Sequence, residues 1–292
     1  MKIIIFIFAL MIILGIVIYK IHHYFLNKIS YNNVIKESIL NNNNKGYLNV
    51  GLWKTQTNNL YDAQKMMYLM FFSFAELHNP NQKVLETGCG SAEHYLLWKE
   101  YGLQSKMECY EISTNIHPEV KKMSENVTIY QKSALELNIK NEFNKIISIE
   151  STFHYPNRQL FFKKCYYALK SKGMLFMVDI VKNKNCKYSG FLPNIVQNYY
   201  ENYIFKMPKE NSIGIEEYYQ QLINSGFKSV YISDITEKTL QPFYQNYYKN
   251  INNNKFFGLN NRWAHYLHDK FISSMADLTT CPFSYIMIVC LK

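Results

Sequence analysis

The most apolar part of the chain lies at its beginning. Residues 3–19 form a run of 17 positions without a charged side chain, which as a helix extends roughly 25 Å, just enough for the hydrocarbon core of a membrane. A cleavable signal peptide has a shorter apolar core and small residues at the cleavage site, and neither is present. A helix buried in a globular domain is seldom apolar on every side. The pattern predicts a membrane anchor over residues 1–26.

The charges that flank this run indicate an orientation. Lys20 and Lys28 follow the run and only Lys2 precedes it, and positive charge concentrates on the cytoplasmic side of membrane helices. We therefore expect a single-pass membrane protein with the domain that follows the run facing the cytoplasm. Residues 27–45 are rich in Asn and read as a linker, and the folded domain is expected over residues 46–292.

Within that domain, short alternating or β-branched runs are interleaved with longer helical patterns, which is typical of an α/β fold with a parallel sheet. The predicted strands are 83–86, 106–110, 126–130, 144–149, 174–180, 227–235 and 284–291. The predicted helices are 60–77, 92–99, 157–170 and 215–226. Glycine-bearing turns separate several of these segments.

The stretch after the first predicted strand carries the clearest chemistry. Glu86 precedes Gly88 and Gly90, with Cys89 between them. Two glycines allow the backbone to turn sharply and approach a ligand closely, and the next helix directs its N–H groups at the loop. The Lys-Ser/Thr ending of a phosphate loop is absent, and so is the third glycine of the dinucleotide pattern. A carboxylate at Glu86 disfavours a pyrophosphate and suits an amino-bearing ligand.

This Glu-x-Gly-x-Gly signature resembles the first motif of class I S-adenosylmethionine-dependent methyltransferases. The resemblance implies a Rossmann-like, seven-stranded methyltransferase sheet with helices on both faces, and S-adenosyl-L-methionine as cofactor. It extends from about Gly46 to the C-terminus and is nearest to the small-molecule branch that includes tocopherol, sterol and phosphoethanolamine methyltransferases. In that family the glycine loop, here Gly88-Cys89-Gly90, holds the amino-acid end of the cofactor, with Glu86 close to it.

Further cofactor contacts follow from the same resemblance. Glu111 ends the second predicted strand about twenty residues past the loop, where a carboxylate accepts hydrogen bonds from ribose hydroxyls, and Ile112 lies beside it. Ser133 stands where the family usually has an acidic residue that contacts adenine, and Ala134 is small, as expected beside a flat base. The turn at Ser171-Lys172-Gly173 departs from the family's Leu-Lys-Pro-Gly-Gly.

The segment after the fourth predicted strand faces the reaction centre in such folds. Glu150 and His154 match the family by position, Glu150 as a cofactor-binding residue and His154 as a general base for a hydroxyl or an amine. A purely structural role for His154 stays open. Residues 181–214 and 236–283 are aromatic-rich insertions that we expect to cap the substrate. Tyr47 and Trp53 are expected either to fold over the cofactor or to pack the first helix on the sheet.

The net charge and the cysteine content give little specific information about binding partners. The net charge of +10 allows an anionic neighbour, either a membrane face or a nucleic acid, or simply a solvated lysine-rich surface. The six cysteines show no C-x-x-C pair and no zinc spacing. We therefore predict no metal site and expect all six to be thiols in a reducing compartment.

The class of acceptor substrate can be narrowed by excluding methyltransferase classes whose motifs are absent. After the fourth strand the chain reads Glu150-Ser151-Thr152-Phe153, which matches neither the Asp/Asn-Pro-Pro-aromatic run of DNA amino-methyltransferases nor the Pro-Cys of cytosine C5 enzymes. Arginine methyltransferases use two glutamates there, and no further Glu occurs before Glu201. A nucleic acid partner is therefore disfavoured, and a small, lipid-soluble acceptor at a membrane face is expected. The alternatives are a membrane-anchored, non-catalytic binding scaffold and, less favoured, an NAD-dependent oxidoreductase.

Overall fold

The order of the strands in the central sheet determines which of the predicted site residues lie close together. The computed structural model describes residues 47–123, 125–186, 197–198, 201–202, 205–250 and 273–292, with only the backbone for 247–250. The predicted anchor and linker lie outside the described residues. Among the residues that are described, no helix is both long and apolar enough to cross a membrane.

Seven strands form one mixed sheet in the order β3-β2-β1-β4-β5-β7-β6. Neighbours from β3 to β5 pair in parallel, and β7 runs antiparallel to both β5 and β6. The bounds are β1 (Lys83–Thr87), β2 (Lys106–Glu111), β3 (Val127–Gln131), β4 (Phe143–Ile149), β5 (Leu169–Lys182), β6 (Ser229–Asp234) and β7 (Phe283–Leu291). All seven predicted strands are present.

Among the described residues, one α-helix precedes the first strand and the others lie between strands along the chain. They are α1 (Leu60–Phe74), α2 (His94–Glu100), α3 (Pro118–Lys121), α4 (Arg158–Ala168), α5 (Ile215–Ile223) and α6 (Leu240–Asn250). Asparagine side chains cap two of them: Asn59 Oδ1 accepts from the Asp62 N–H, and Asn157 Oδ1 accepts from the Leu160 N–H. Local sequence therefore marks where α1 and α4 begin.

Apolar side chains form one hydrophobic cluster on each face of the sheet. On the first face, Phe71 of α1 and Trp98 of α2 belong to the cluster that includes Val84 of β1. On the second face, Phe161 of α4 and Tyr218 of α5 belong to the cluster that includes Leu85 of β1, the residue after Val84. Because successive strand residues point to opposite faces, central strands that are apolar throughout require helices on both faces, as predicted.

The strand β5 departs most from the predicted boundaries. It begins at Leu169 and so contains the predicted turn 171–173. Lys172 has a φ of +63°, and the β4–β5 register is irregular opposite Phe143–Lys145, so the turn is accommodated within the strand as a bulge. At its other end β5 continues to Lys182, which pairs with Phe283 of β7. The first two residues of the predicted insertion 181–214 therefore belong to the sheet.

Candidate active site at the carboxyl edge of the sheet

Three parallel strands bring the predicted acidic residues to one edge of the sheet. Strand β1 lies between β2 and β4, and Glu86 pairs in register with Cys109 of β2 and Ile147 of β4. Glu111 is the last residue of β2, and Glu150 directly follows β4. Ligands of open α/β sheets bind at this edge, so the fold brings together the predicted cofactor residues of the three strands.

The glycine loop has the left-handed backbone that its sequence indicated. Gly88 and Gly90 have φ angles of +75° and +58°, which residues with a Cβ seldom adopt. A Cβ on Gly88 would lie 2.5 Å from the Cβ of Ser151, so the loop packs directly on the segment after β4. The Gly90 N–H donates to Glu111 Oε2 over 2.7 Å, and this bond fixes the loop to the end of β2.

The cysteine prediction was wrong for two residues. Cys89 in the glycine loop and Cys109 in β2 form a disulfide, with their Cα atoms 6.5 Å apart. In the register of β1 and β2, Cys109 pairs with Glu86, and the glycine loop that follows β1 brings Cys89 within bonding distance of Cys109. Sequence spacing alone gave no sign of it. The cysteines outside this bond are Cys165, Cys186, Cys281 and Cys290.

Glu111 and Ile112 have surroundings that suit an adenosine group. Glu111 is 7% exposed, and its Oε1 accepts from the Ser113 N–H over 2.7 Å. Burial raises the pKa of Glu111, and the Ser113 and Gly90 N–H donors oppose that rise. A carboxylate has about four acceptor positions, so Glu111 can still accept a hydrogen bond from a hydroxyl. Ile112 is 73% exposed, which leaves an apolar surface at this edge for a flat base.

Glu86 is engaged with the protein itself. It is 1% exposed, and its Oε2 lies 3.0 Å from Nε2 of His94, which is also buried. The His94 ring stacks on Tyr68 and Tyr95 at centroid distances of 4.5 and 4.7 Å. Sequence reasoning missed His94 because a single histidine in a helical run carries no distinctive signal. A contact between Glu86 and the cofactor remains a prediction.

Ser133 has a local role as a helix cap. Its Oγ accepts from the Leu135 N–H, and the Ser133 N–H donates to Glu136 Oε1, which completes a capping box. Ala134 is buried beside it. The serine that replaces the family's acidic residue therefore begins a short 3₁₀ helix, Ala134–Glu136, and its adenine contact also stays a prediction.

Glu150 is the most perturbed acid at this edge. Its Oε1 accepts from the Tyr285 hydroxyl over 2.7 Å and from the Val50 N–H over 2.8 Å. Burial and the Asp179 charge raise its pKa to about 7, although both hydrogen bonds oppose the rise. Its φ of +49° is unusual for a residue with a Cβ, and such conformations concentrate at functional sites. Sequence reasoning missed Tyr285, which is 135 positions away.

His154 has the properties of a weak base. Burial lowers its pKa to about 4, and its ring hydrogen-bonds to the backbone of Lys206. It also packs on the Phe153 ring at a centroid distance of 4.0 Å. The catalytic role of His154 stays a prediction, and its structural role stays open beside it.

A buried network fixes the segment between Glu150 and His154. Thr152 Oγ1, the Phe153 N–H and the Tyr218 hydroxyl all donate to the Asp179 carboxylate. Arg158 Nη1 lies 3.5 Å from Asp179 Oδ2, and its guanidinium stacks 4.2 Å from the Tyr218 ring centroid. Because these groups are all buried, the loop after β4 is held from both the sheet and α5.

The N-terminal described segment lies against the same loops. Tyr47 is buried and stacks on Tyr61 of α1 at 5.5 Å, which agrees with the packing alternative for this residue. The Val50 N–H reaches Glu150, and Leu48 approaches Gly90, where an added Cβ would lie 3.0 Å away. The segment therefore packs Tyr47 on α1 and also contacts the site.

The donor set fits S-adenosylmethionine. Buried acids at adjacent strand ends suit an amino group and ribose hydroxyls, and the exposed Ile112 suits adenine. A model of the family described as mycolic acid cyclopropane synthetase matches residues 39–279. The chain belongs to this family. It is an S-adenosylmethionine-dependent methyltransferase that acts on a small molecule.

Relatives and solved structures agree with this assignment. The methyltransferase is 22% identical to erythromycin 3''-O-methyltransferase of Saccharopolyspora erythraea, over 72% of this chain and 71% of the relative. It is 26% identical to phosphoethanolamine N-methyltransferase of Plasmodium falciparum, over 65% and 74% of the two chains. A cyclopropane synthase structure from Mycobacterium tuberculosis superposes with a TM-score of 0.67 at 15% identity, over 84% and 90%, which shows the shared fold.

The assignment favours the enzyme over the non-catalytic scaffold. When bound, S-adenosylmethionine supplies an activated methyl group, so the protein mainly has to align the acceptor and exclude water. The glycine loop with Glu86 and Glu111 would hold the cofactor, and the residues after β4 would face the acceptor.

Proposed function

We propose that this methyltransferase methylates a small, lipid-soluble acceptor at the cytoplasmic face of a membrane. The observation that carries the proposal is the uncharged run 3–19, which precedes a domain of a small-molecule methyltransferase family. An enzyme anchored in a bilayer meets acceptors that partition into that bilayer. The family description names mycolic acid, which is a lipid, and this agrees with the proposal.

The acceptor atom is left open by the relatives. One is named for O-methylation and the other for N-methylation, and both reactions release a proton from the acceptor. Sterols, hydroxyl-bearing quinones, polyprenyl-type phenols and phosphoethanolamine lipids all satisfy this description. The common requirement is a hydroxyl or an amine that reaches the carboxyl edge of the sheet.

The test offers the enzyme two classes of acceptor from the same cells. Full-length protein in phosphatidylcholine vesicles is incubated with S-adenosylmethionine carrying a radioactive methyl group, together with either the lipid extract or the aqueous extract. We expect label in the lipid fraction, and none with Glu111→Ala, which should not hold the cofactor. Label transferred only to water-soluble acceptors would overturn the proposal that the acceptor is lipid-soluble.

The anchor is tested separately by vesicle flotation at high salt. The full-length protein should float with neutral vesicles, because apolar insertion is not screened by salt. A variant with Ile12→Lys and Ile13→Lys should not, because a charge at the centre of the bilayer costs about 2.5–3.5 kcal/mol. Wild-type protein that stays in the vesicle-free fraction would refute the proposal that the enzyme acts at a membrane face. Protease protection in sealed vesicles made from the source membrane would test the cytoplasmic orientation.

A further inference from the structure

The two oxygens of the Glu150 carboxylate have different surroundings. Oε1 accepts two hydrogen bonds, from the Tyr285 hydroxyl and the Val50 N–H. Among the described residues no group hydrogen-bonds Oε2. Glu150 is only partly buried as a residue, whereas Tyr285 beneath it is fully buried. The carboxylate is therefore fixed through one oxygen and keeps the other available.

The backbone and neighbouring loops hold this arrangement in place. Glu150 directly follows β4, and its N–H donates to the Val178 carbonyl of β5 over 3.1 Å. Its left-handed φ of +49° is strained in a residue with a Cβ, so the surrounding contacts must hold it. Tyr285 lies within β7, where it pairs with Ile180 of β5. Rigid elements thus position the carboxylate at the edge where the acceptor must bind.

We propose that Glu150 is the proton acceptor of methyl transfer and that Tyr285 positions it. The acceptor's O–H or N–H bond breaks and its proton passes to Glu150 Oε2. The acceptor oxygen or nitrogen gains the methyl group, whose bond to the donor sulfur breaks to leave a neutral thioether. The positive charge of the sulfonium and the negative charge of the carboxylate are both lost, so the reaction balances. The proposal needs an acceptor with such a proton and does not depend on its lipid solubility.

The electrostatic surroundings make this carboxylate a suitable base near neutral pH. In the part of the chain that the structure describes, the titratable groups that face it are Asp179 from β5, Tyr285 from β7 and Tyr68 from α1. Burial and the Asp179 charge raise the Glu150 pKa to about 7, and a general base is most effective when its pKa lies near the working pH. His154, with its pKa lowered to about 4, is the weaker base.

The first experiment separates this role from cofactor binding, the role that family resemblance implies for Glu150. The affinity of full-length Glu150→Gln for S-adenosylhomocysteine is measured by calorimetry, and its methyl transfer is measured with whichever extract accepts label in the assay above. We expect unchanged affinity within twofold and a rate lowered at least a hundredfold, the usual effect of losing a general base. Affinity that falls in parallel with the rate would overturn the proposal.

The second experiment needs no acceptor, so it stands even if the proposed acceptor class is wrong. Infrared difference spectra between pH 5 and pH 9 report the carbonyl stretch of protonated carboxyl groups. A component present in wild type and absent in Glu150→Gln is assigned to Glu150, and we expect its midpoint near pH 7. The absence of such a component in this range would refute a base that is poised near neutrality.

Tyr285→Phe tests the positioning role within the same measurement. The Tyr285 hydroxyl stabilises the charged carboxylate, so its removal should move the Glu150 midpoint upward by about one pH unit. Methyl transfer should fall about fivefold near pH 7, because the charged fraction of Glu150 falls by that factor, and it should recover at higher pH. Tyr231→Phe is the matched control, because Tyr231 is 60% exposed on β6. It should change neither the Glu150 midpoint nor the rate of methyl transfer. An unmoved midpoint in Tyr285→Phe would leave Tyr285 as core packing only.

Discussion

The Cys89–Cys109 disulfide joins the glycine loop to the second strand of the sheet. Two of the segments expected to hold the cofactor are therefore connected covalently, two residues before Glu111. The bond also closes a chain segment with a sequence separation of 20, which restricts the unfolded chain and stabilises the fold by about 3 kcal/mol in the chain-entropy account.

Breaking this disulfide should weaken both the fold and cofactor binding. We expect the double variant Cys89→Ser/Cys109→Ser to lose about 3 kcal/mol of unfolding free energy and several-fold affinity for S-adenosylhomocysteine, because the loop is no longer fixed to β2. Thermal denaturation and calorimetry, with and without reductant, measure the two effects. Cys186→Ser, at a residue that forms no disulfide, is the control. Equal stability of oxidised and reduced wild type would contradict the prediction.

Glu111 should be the side chain on which cofactor binding depends most. It holds the Gly90 N–H and is placed for the ribose hydroxyls, and hydrogen bonds to a charged group contribute about 1.5–3 kcal/mol each. Glu111→Ala should therefore weaken S-adenosylmethionine binding at least about tenfold per lost bond. The control is Glu119→Ala, because Glu119 is exposed on α3 and contacts Lys122. Comparable affinities for the two variants would refute the ribose assignment.

His154 should make the protein sensitive to acid. Its pKa is lowered from 6.5 to about 4 in the folded state, so the unfolded chain binds the additional proton between these values. Unfolding free energy should therefore fall as the pH falls from 6.5 through 4. His154→Gln should show a smaller fall over this window when unfolding is followed in urea at several pH values. Parallel curves for the two proteins would show that His154 titrates normally.

The buried pair of Arg158 and Asp179 should matter for stability. Arg158→Met leaves the Asp179 carboxylate buried without its countercharge, and the usual cost of breaking such a pair is about 3–5 kcal/mol. Glu217→Gln removes an ion pair with Lys184 that is exposed, and solvent screening makes its loss nearly neutral. Urea unfolding compares the two variants. A similarly small effect of Arg158→Met would mean that neither the countercharge nor the stacking of Arg158 on Tyr218 is needed to hold the segment after β4.

Local sequence determined much of this protein. Seven strands and the main helices were predictable because alternation and apolar runs reflect the faces that each element buries, as in the successive Val84 and Leu85. The turn at Gly88 and Gly90 was predictable because the backbone freedom of glycine is a local property. Glu111 was predictable because it lies at a fixed spacing from that turn in the sequence.

Tertiary structure alone decided the partners of these residues. The Cys89–Cys109 bond depends on strand register, and the Glu150–Tyr285 bond joins β7 to the loop after β4 across 135 positions. The low pKa of His154 and the raised pKa of Glu150 arise from burial, which depends on how distant segments pack together. Contacts between residues far apart in the chain are set by the whole fold, so local sequence patterns do not predict them.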